Sequence, residues 1–212
     1  MASCFDGAHA GRAECVQCLE RFGDQEQKAA WFPRLISGET IGCFGLTETE
    51  AGSDVASLQC RATPTDDGYQ ISGEKIWITN GGVADIALIF ATVDPELGGK
   101  GITCFLVETN TPGLRSTPME GQELGHRGSN HAQLIFDKAT IEASAVVGGI
   151  GNGFKVAMGG LTCGRLSVAA GAVGIHRAAL LASIEFVNQR QQFGKPIAAF
   201  QMVQERIADM TV

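Results

Sequence analysis

The sequence predicts an α+β protein of more than one domain: an antiparallel β-barrel or sandwich in the middle, flanked by helical segments on both sides. Two observations predict it. Short runs rich in β-branched and aromatic residues recur between residues 40 and 147, separated by turn signals and without intervening helices. Helical periodicity precedes that region, and a longer helical pattern follows it from about Gly153. The segments are drawn as 1–39, 40–150 and 151–212.

Residues 13–37 read as helical. Asp24-Gln25-Glu26-Gln27 is an acidic helix start with Asp24 as its N-cap, Ala29, Ala30, Trp31 and Phe32 supply an apolar face, and Ser37-Gly38-Glu39 closes the unit. Strands are expected at Ile41–Leu46, Val55–Ala62, Tyr69–Ser72, Ile76–Thr79, Ile86–Val93, Ile102–Glu108 and Gln133–Phe136. Asp66-Asp67-Gly68, Asn80-Gly81-Gly82, Gly98-Gly99 and Pro112-Gly113 are the turns. From Phe154 a helical pattern runs through Leu161, Leu166, Val168, Ile175 and Val187 until Gly194-Lys195-Pro196 breaks it. Gly171 and Gly174 weaken that helix by about 1 kcal/mol each relative to alanine, so a helix or ligand is expected to approach them closely. A further helix begins at Phe200 and stops mid-pattern at Val212, which implies apolar faces covered by another subunit or polypeptide.

Composition bounds the function. The chain is 44% hydrophobic and 18% charged, a globular profile, and no run approaches the 18 or so consecutive apolar residues of a membrane span. A net charge of −7, spread along the chain, argues against nucleic-acid binding, which usually needs a basic face. The N-terminus lacks an apolar signal core, so an intracellular, soluble protein is expected, in the cytoplasm or the mitochondrial matrix. Seven cysteines, including the pair Cys15-Val16-Gln17-Cys18, lack a second pair or a His cluster at zinc-ligand spacing and read as reduced thiols, with no metal site.

Two short stretches carry the chemistry. Phe44-Gly45-Leu46-Thr47-Glu48-Thr49-Glu50-Ala51-Gly52-Ser53-Asp54 and Gly73-Glu74-Lys75-Ile76-Trp77-Ile78-Thr79-Asn80-Gly81 each pair an apolar run with hydroxyls, free backbone donors and glycine. Side by side, such strands offer N–H groups, threonine hydroxyls and an indole to one flat, polar aromatic ligand. A flavin suits that arrangement. An aromatic residue in a β run is nevertheless more often core than cofactor contact.

These residues resemble the acyl-CoA dehydrogenase family. Its flavin loop, TE-P-x-AGSD, is matched by Thr47–Asp54, and its G-x-K-x-W-I-T-N signature by Gly73–Asn80. A third, R-x-x-FG-K-x-(I/L)…Q, is matched by Arg190, Phe193, Gly194, Lys195, Ile197 and Gln201; Phe22–Lys28 and Pro33–Leu35 resemble the end of the family's N-terminal helical domain. The resemblance implies the end of that domain, a whole middle β domain, and the first helices of a C-terminal bundle, as an incomplete chain. It implies FAD, an acyl-CoA substrate, electron-transfer flavoprotein as acceptor, a homo-oligomer, and a place in fatty acid or amino acid catabolism.

Residue by residue, the resemblance puts the backbone of Phe44, Leu46 and Thr47 along the flavin pyrimidine edge, where N–H donors stabilise the charge of the reduced ring. Ser53 sits where flavin and acyl-CoA meet, Trp77 covers a ring face, Ile78 also borders the cofactor, and Thr79 bonds N5. Arg190 pairs with the pyrophosphate, Phe193 and Gln201 meet the adenosine half in a neighbouring subunit, and Arg165 lies near the CoA. In the loop Gly125–His131, His126, Arg127, Ser129 and His131 are read as solvated rather than metal-binding.

The family's reaction also needs a carboxylate to remove the α proton. A minority of members carry it directly before the Arg165 position, where this chain has Gly164. Glu48 is a motif residue without a base role, and Thr49 and Glu50 depart from the family pattern. No catalytic residue is therefore assigned, and the chain is expected to lack the glutamate. The competing expectations are an acyl-CoA oxidase-like flavoenzyme and a non-catalytic β-domain binding module.

Overall fold

A computed structural model describes residues 7–119 and 130–212, with side chains from Glu14 onward. The chain divides into two compact units, 1–164 and 165–212.

The first unit opens with two helices, α1 (Gly7–Phe22) and α2 (Gln25–Ser37). Asp24 caps α2 as the sequence predicts: its Oδ1 accepts from Gln27 N at 2.8 Å, while its own N–H donates to Gln27 Oε1 at 3.2 Å. Gly38, at φ 82°, ends the helix in the left-handed conformation. The buried face differs from the predicted one. Ala29 and Ala30 are exposed, while Gln27 and Leu35 are buried and Trp31 and Phe32 pack against the core.

Eight strands follow in one sheet: β1 (Gly42–Gly45), β2 (Arg61–Thr65), β3 (Gly68–Thr79), β4 (Ile86–Thr92), β5 (Ile102–Glu108), β6 (Leu114–Pro118), β7 (His131–Glu142) and β8 (Val146–Val147). Their order is β6-β7-β3-β2-β4-β5-β8, with β1 attached to β4. The expected antiparallel barrel or sandwich is corrected here. The sheet is mixed, because β1 and β2 both run parallel to β4, and among the described residues no pairing joins β6 to β8 to close it.

Other expectations shift for identifiable reasons. Tyr69–Ser72 and Ile76–Thr79 are one strand, since the irregularity at Gly73 bends β3 without ending it. Gly73 has φ 135°, and a Cβ there would lie 2.8 Å from Cys60 Cα, so glycine is required. Val55–Ala62 is mostly not strand: Val55–Ser57 form a 3₁₀ turn before β2.

β4 holds the unit together. Ala87, Ile89 and Ala91 point into one apolar cluster with Ile71, Phe105 and Leu134; Ile86, Leu88 and Phe90 point into another with Leu19, Leu35 and Val156. Both faces of the strand are covered, so its whole length is buried.

Helix α3 (Gly153–Gln189) starts in the first unit, where Gly153, Val156, Ala157 and Gly160 are buried. Gly159 and Gly160 let α1 approach: Cβ atoms there would stand 2.9 Å from the Phe22 ring and 2.8 Å from Cys18 Sγ. A Cβ on Gly174 would meet nothing within 4 Å in this chain.

The second unit holds the rest of α3, a short hairpin of β9 (Gln191–Gln192) and β10 (Lys195–Pro196), and α4 (Gln201–Asp209). Leu166, Val168, Val173, Ile175, Leu181 and Phe186 of α3 are exposed. By length and composition alone α3 is apolar enough to cross a membrane, with a mean hydropathy of 1.4 over 18 residues. A count of consecutive apolar residues passes over it because Gly, Thr, Ser and His interrupt the run.

Candidate functional site

The two motifs meet edge to edge. β1 delivers Leu46–Glu48 alongside β3, where Ile76 N donates to Thr47 O at 2.9 Å. Thr49 Oγ1 donates to Glu74 Oε1 at 3.1 Å, and Gln133 Nε2 to Glu74 Oε2 at 2.7 Å, which ties the loop to β7 as well.

Beneath this contact lies Lys75, whose side chain is fully buried. Its Nζ donates to Leu46 O at 3.1 Å and to Glu48 Oε1 at 2.6 Å. Glu48 accepts two further bonds, from Gln59 N at 2.6 Å and Cys60 N at 3.0 Å. One carboxylate thus joins the flavin-loop motif, the start of β2 and the second motif. A buried charge is tolerable only when paired and hydrogen-bonded in this way. Backbone bonds between Glu48 and Ala51, at 3.1 and 3.3 Å, then turn the chain toward Ser53, which is exposed.

Trp77 stands apart from the core. The β3–β7 register is irregular between Lys75 and Ile78, and Trp77 there adopts φ 58°, a left-handed conformation rare for a bulky residue. The consequence is an indole that is 56% exposed, while its neighbour Ile78 is buried. Its backbone N–H reaches Met119 Sδ at 3.3 Å. Such an outlier at a strand end points to a functional constraint. The ring face is available to a ligand, and Ile78 can contribute only backbone.

Thr79 Oγ1 lies 3.1 Å from His131 Nε2, across the pair Thr79↔His131 of β3 and β7. His131, read from sequence as part of a solvated loop, is instead the first residue of β7, partly buried. His126, Arg127 and Ser129 lie outside the described residues. Only the pairing of the strands could reveal that His131 faces Thr79.

Phe44 is partly buried, with its ring 4.8 Å from that of Phe90, and Leu46 is buried. Both offer a ligand backbone rather than side chain. Arg190, Phe193 and Gln201 belong to the second unit and surround its hairpin. Arg190 O accepts from Ile197 N at 2.9 Å, and Phe193, at φ 54° and 92% exposed, occupies the turn with its ring 6.1 Å from that of Phe200. Arg190 and Gln201 are exposed, as is Arg165.

The described cysteines are free thiols. Burial pushes Cys18 and Cys43 up to about 12 and Cys60 to about 11, and raises Cys15 and Cys104 well above the usual thiol range. Cys15 Sγ donates to Cys43 O at 3.0 Å, so the Cys15/Cys18 pair packs the α1–sheet interface as inert thiols. An open groove of about 670 Å³, lined by Gln27, Trp31, Glu108, Thr140 and Glu142 among others, contains none of the residues of the two motifs.

The exposed indole, the Thr79 hydroxyl and the clamped Leu46–Thr49 backbone fit a planar cofactor with polar edges. Comparison with known proteins agrees. The pattern of "Acyl-CoA dehydrogenase, middle domain" matches residues 43–139, and that of "Acyl-CoA dehydrogenase, C-terminal domain" matches 151–212. A 2-methylacyl-CoA dehydrogenase, mitochondrial, of Solanum tuberosum is 44% identical over 196 residues, covering 92% of this chain and 47% of that protein. The solved structure of butyryl-CoA dehydrogenase from Megasphaera elsdenii superposes with a TM-score of 0.90 at 40% identity, covering 96% of this chain and 54% of that one. A glutaryl-CoA dehydrogenase from Mycobacterium smegmatis, solved in complex with FADH2, gives 0.87 at 35% identity, with 95% and 51% coverage. The chain therefore spans about half the length of the relatives it matches. It belongs to the acyl-CoA dehydrogenase family.

Proposed function

We propose that this chain forms the FAD cradle of an enzyme that dehydrogenates an acyl-CoA thioester between its α and β carbons. The observation that carries the reading is the junction of Thr47 with Ile76, clamped by Lys75 and Glu48, with Trp77 exposed and the Thr79 hydroxyl two residues on, 3.1 Å from His131 Nε2. The solved relative with FADH2 supports the choice of cofactor. When bound, FAD supplies the acceptor for the β hydrogen, removed as hydride.

The chain's own residues bind and orient. Backbone donors of Phe44–Thr47 face the pyrimidine edge, and being fixed by the Lys75 clamp they need no reorganisation when charge develops there. Trp77 with the Ile78 backbone covers one face of the ring. Thr79 donates its hydroxyl proton to the ring's reactive edge while His131 Nε2 holds its oxygen. Ser53 and Arg165 serve the thioester and CoA. Arg190, Phe193 and Gln201 serve the phosphate and adenosine of FAD in a second subunit, so the working form is a homo-oligomer. Electrons leave to an electron-transfer flavoprotein, in the cytoplasm or the mitochondrial matrix.

None of the motif residues named above supplies the base. Gly164 has no side chain, and Glu48 is occupied by Lys75 and two amides. The test is anaerobic mixing of the FAD-loaded chain with butyryl-, isovaleryl- and octanoyl-CoA. The flavin band is expected to shift on binding and to bleach little. No shift with any thioester would sink the substrate reading, and rapid full bleaching would sink the missing-base reading.

A further inference from the structure

Glu14 lies on α1, and its carboxyl reaches across to α3. A Cβ placed on Gly164 would stand 2.9 Å from Glu14 Oε1, so the carboxyl occupies room that the glycine leaves. One turn earlier on the same face of α3, a Cβ on Gly160 would meet Cys18 Sγ at 2.8 Å and the Phe44 ring at 3.4 Å. Positions four apart on a helix are neighbours, roughly 6 Å between them. Glu14 thus stands about one helical turn from the side chain of the strand that leads into Leu46–Thr49.

The carboxyl is partly buried and close enough to the Cys15 and Cys18 thiols of α1 for its charge to act on both. Among the described residues it makes no hydrogen bond or ion pair. Desolvation raises it from 4.5 to about 7. A desolvated carboxyl without a donor is costly in either protonation state, and a ligand that brings a donor relieves that cost.

We propose that Glu14 is a specificity-determining residue of the acyl site, selecting thioesters whose acyl group carries a hydroxyl over plain alkyl thioesters and rejecting those that end in a carboxylate. The proposal rests on the acyl-CoA reading above. A hydroxyl donates to Glu14, an alkyl chain leaves the carboxyl dry and unbonded, and a second carboxylate adds repulsion.

The experiment is titration of the FAD-loaded full chain at pH 8 with four acyl groups of equal length: butyryl-, 3-hydroxybutyryl-, 4-hydroxybutyryl- and succinyl-CoA. Dissociation constants are read from the flavin band and by calorimetry. One hydroxybutyryl thioester is expected to bind about tenfold or more tighter than butyryl-CoA, with succinyl-CoA weakest. Glu14→Gln keeps an acceptor without charge, so it retains the hydroxyl preference but admits succinyl-CoA; Glu14→Leu loses both. Equal binding of butyryl- and hydroxybutyryl-CoA by the unmodified chain overturns the proposal, and so does a Glu14→Leu variant that keeps the full preference. Binding of all four without discrimination leaves the acyl-CoA reading standing and removes this one. Binding of none removes both.

Discussion

Lys75 Nζ sits 2.6 Å from Glu48 Oε1 with both side chains buried, and this pair is the buried fastening between the two motifs. Glu48 also holds the amides of Gln59 and Cys60, and Lys75 the carbonyl of Leu46. The pair fixes the loop that follows β1, which is itself held in the sheet by β4.

Removing one partner should therefore cost far more than removing both. Lys75→Met leaves a buried carboxylate facing only two amides, and about 3–5 kcal/mol of stability should be lost in urea unfolding. Lys75→Met with Glu48→Gln keeps the acceptor for those amides without its charge and should recover a large part of the loss. Additive losses in this double-mutant cycle would show that the two residues act independently.

Trp77 should behave as a ligand contact and not as core. It is exposed and held at φ 58°, where a bulky residue is disfavoured by roughly 1–2 kcal/mol. Trp77→Gly should leave the melting temperature nearly unchanged while FAD affinity, measured by fluorescence quenching, falls at least tenfold. A loss of 3–5 kcal/mol in stability, the usual cost of deleting a core tryptophan, would assign the ring to packing.

Glu14 should give the fold a pH dependence of known sign. Its carboxyl is raised from 4.5 to about 7 in the folded chain by burial. The folded state thus holds the proton more tightly than the unfolded one. The contribution is complete below pH 4.5 and is lost as pH rises through 7, by roughly 3 kcal/mol at most. Glu14→Gln should remove that slope, so the two stability curves should converge at low pH and separate between pH 4.5 and 7. Parallel curves would mean that Glu14 titrates normally.

The sequence made the site legible where its chemistry is local. Thr47, Trp77 and Thr79 stand out because a hydroxyl or an indole at a strand end is conspicuous in one dimension, and the fold does bring their motifs together. What it hid depends on partners far along the chain. Lys75 lies in phase with Ile71 on β3, and an inward lysine was the available signal for a buried pair, but nothing local names Glu48 as its partner. Glu14 meets Gly164 from 150 residues away through helix packing. Leu114–Pro118 shows no apolar alternation, and β6 exists because β7 offers it an edge. The parallel pairing of β1 with β4 likewise follows from the crossover and not from either strand's composition.

The most direct test of the central claim is the visible spectrum of the purified chain after incubation with FAD and gel filtration. The account predicts a flavin band co-eluting with the protein, with its fine structure altered by the indole of Trp77, and loss of the band in the Trp77→Gly and Lys75→Met variants. A folded protein that elutes colourless under these conditions would contradict it.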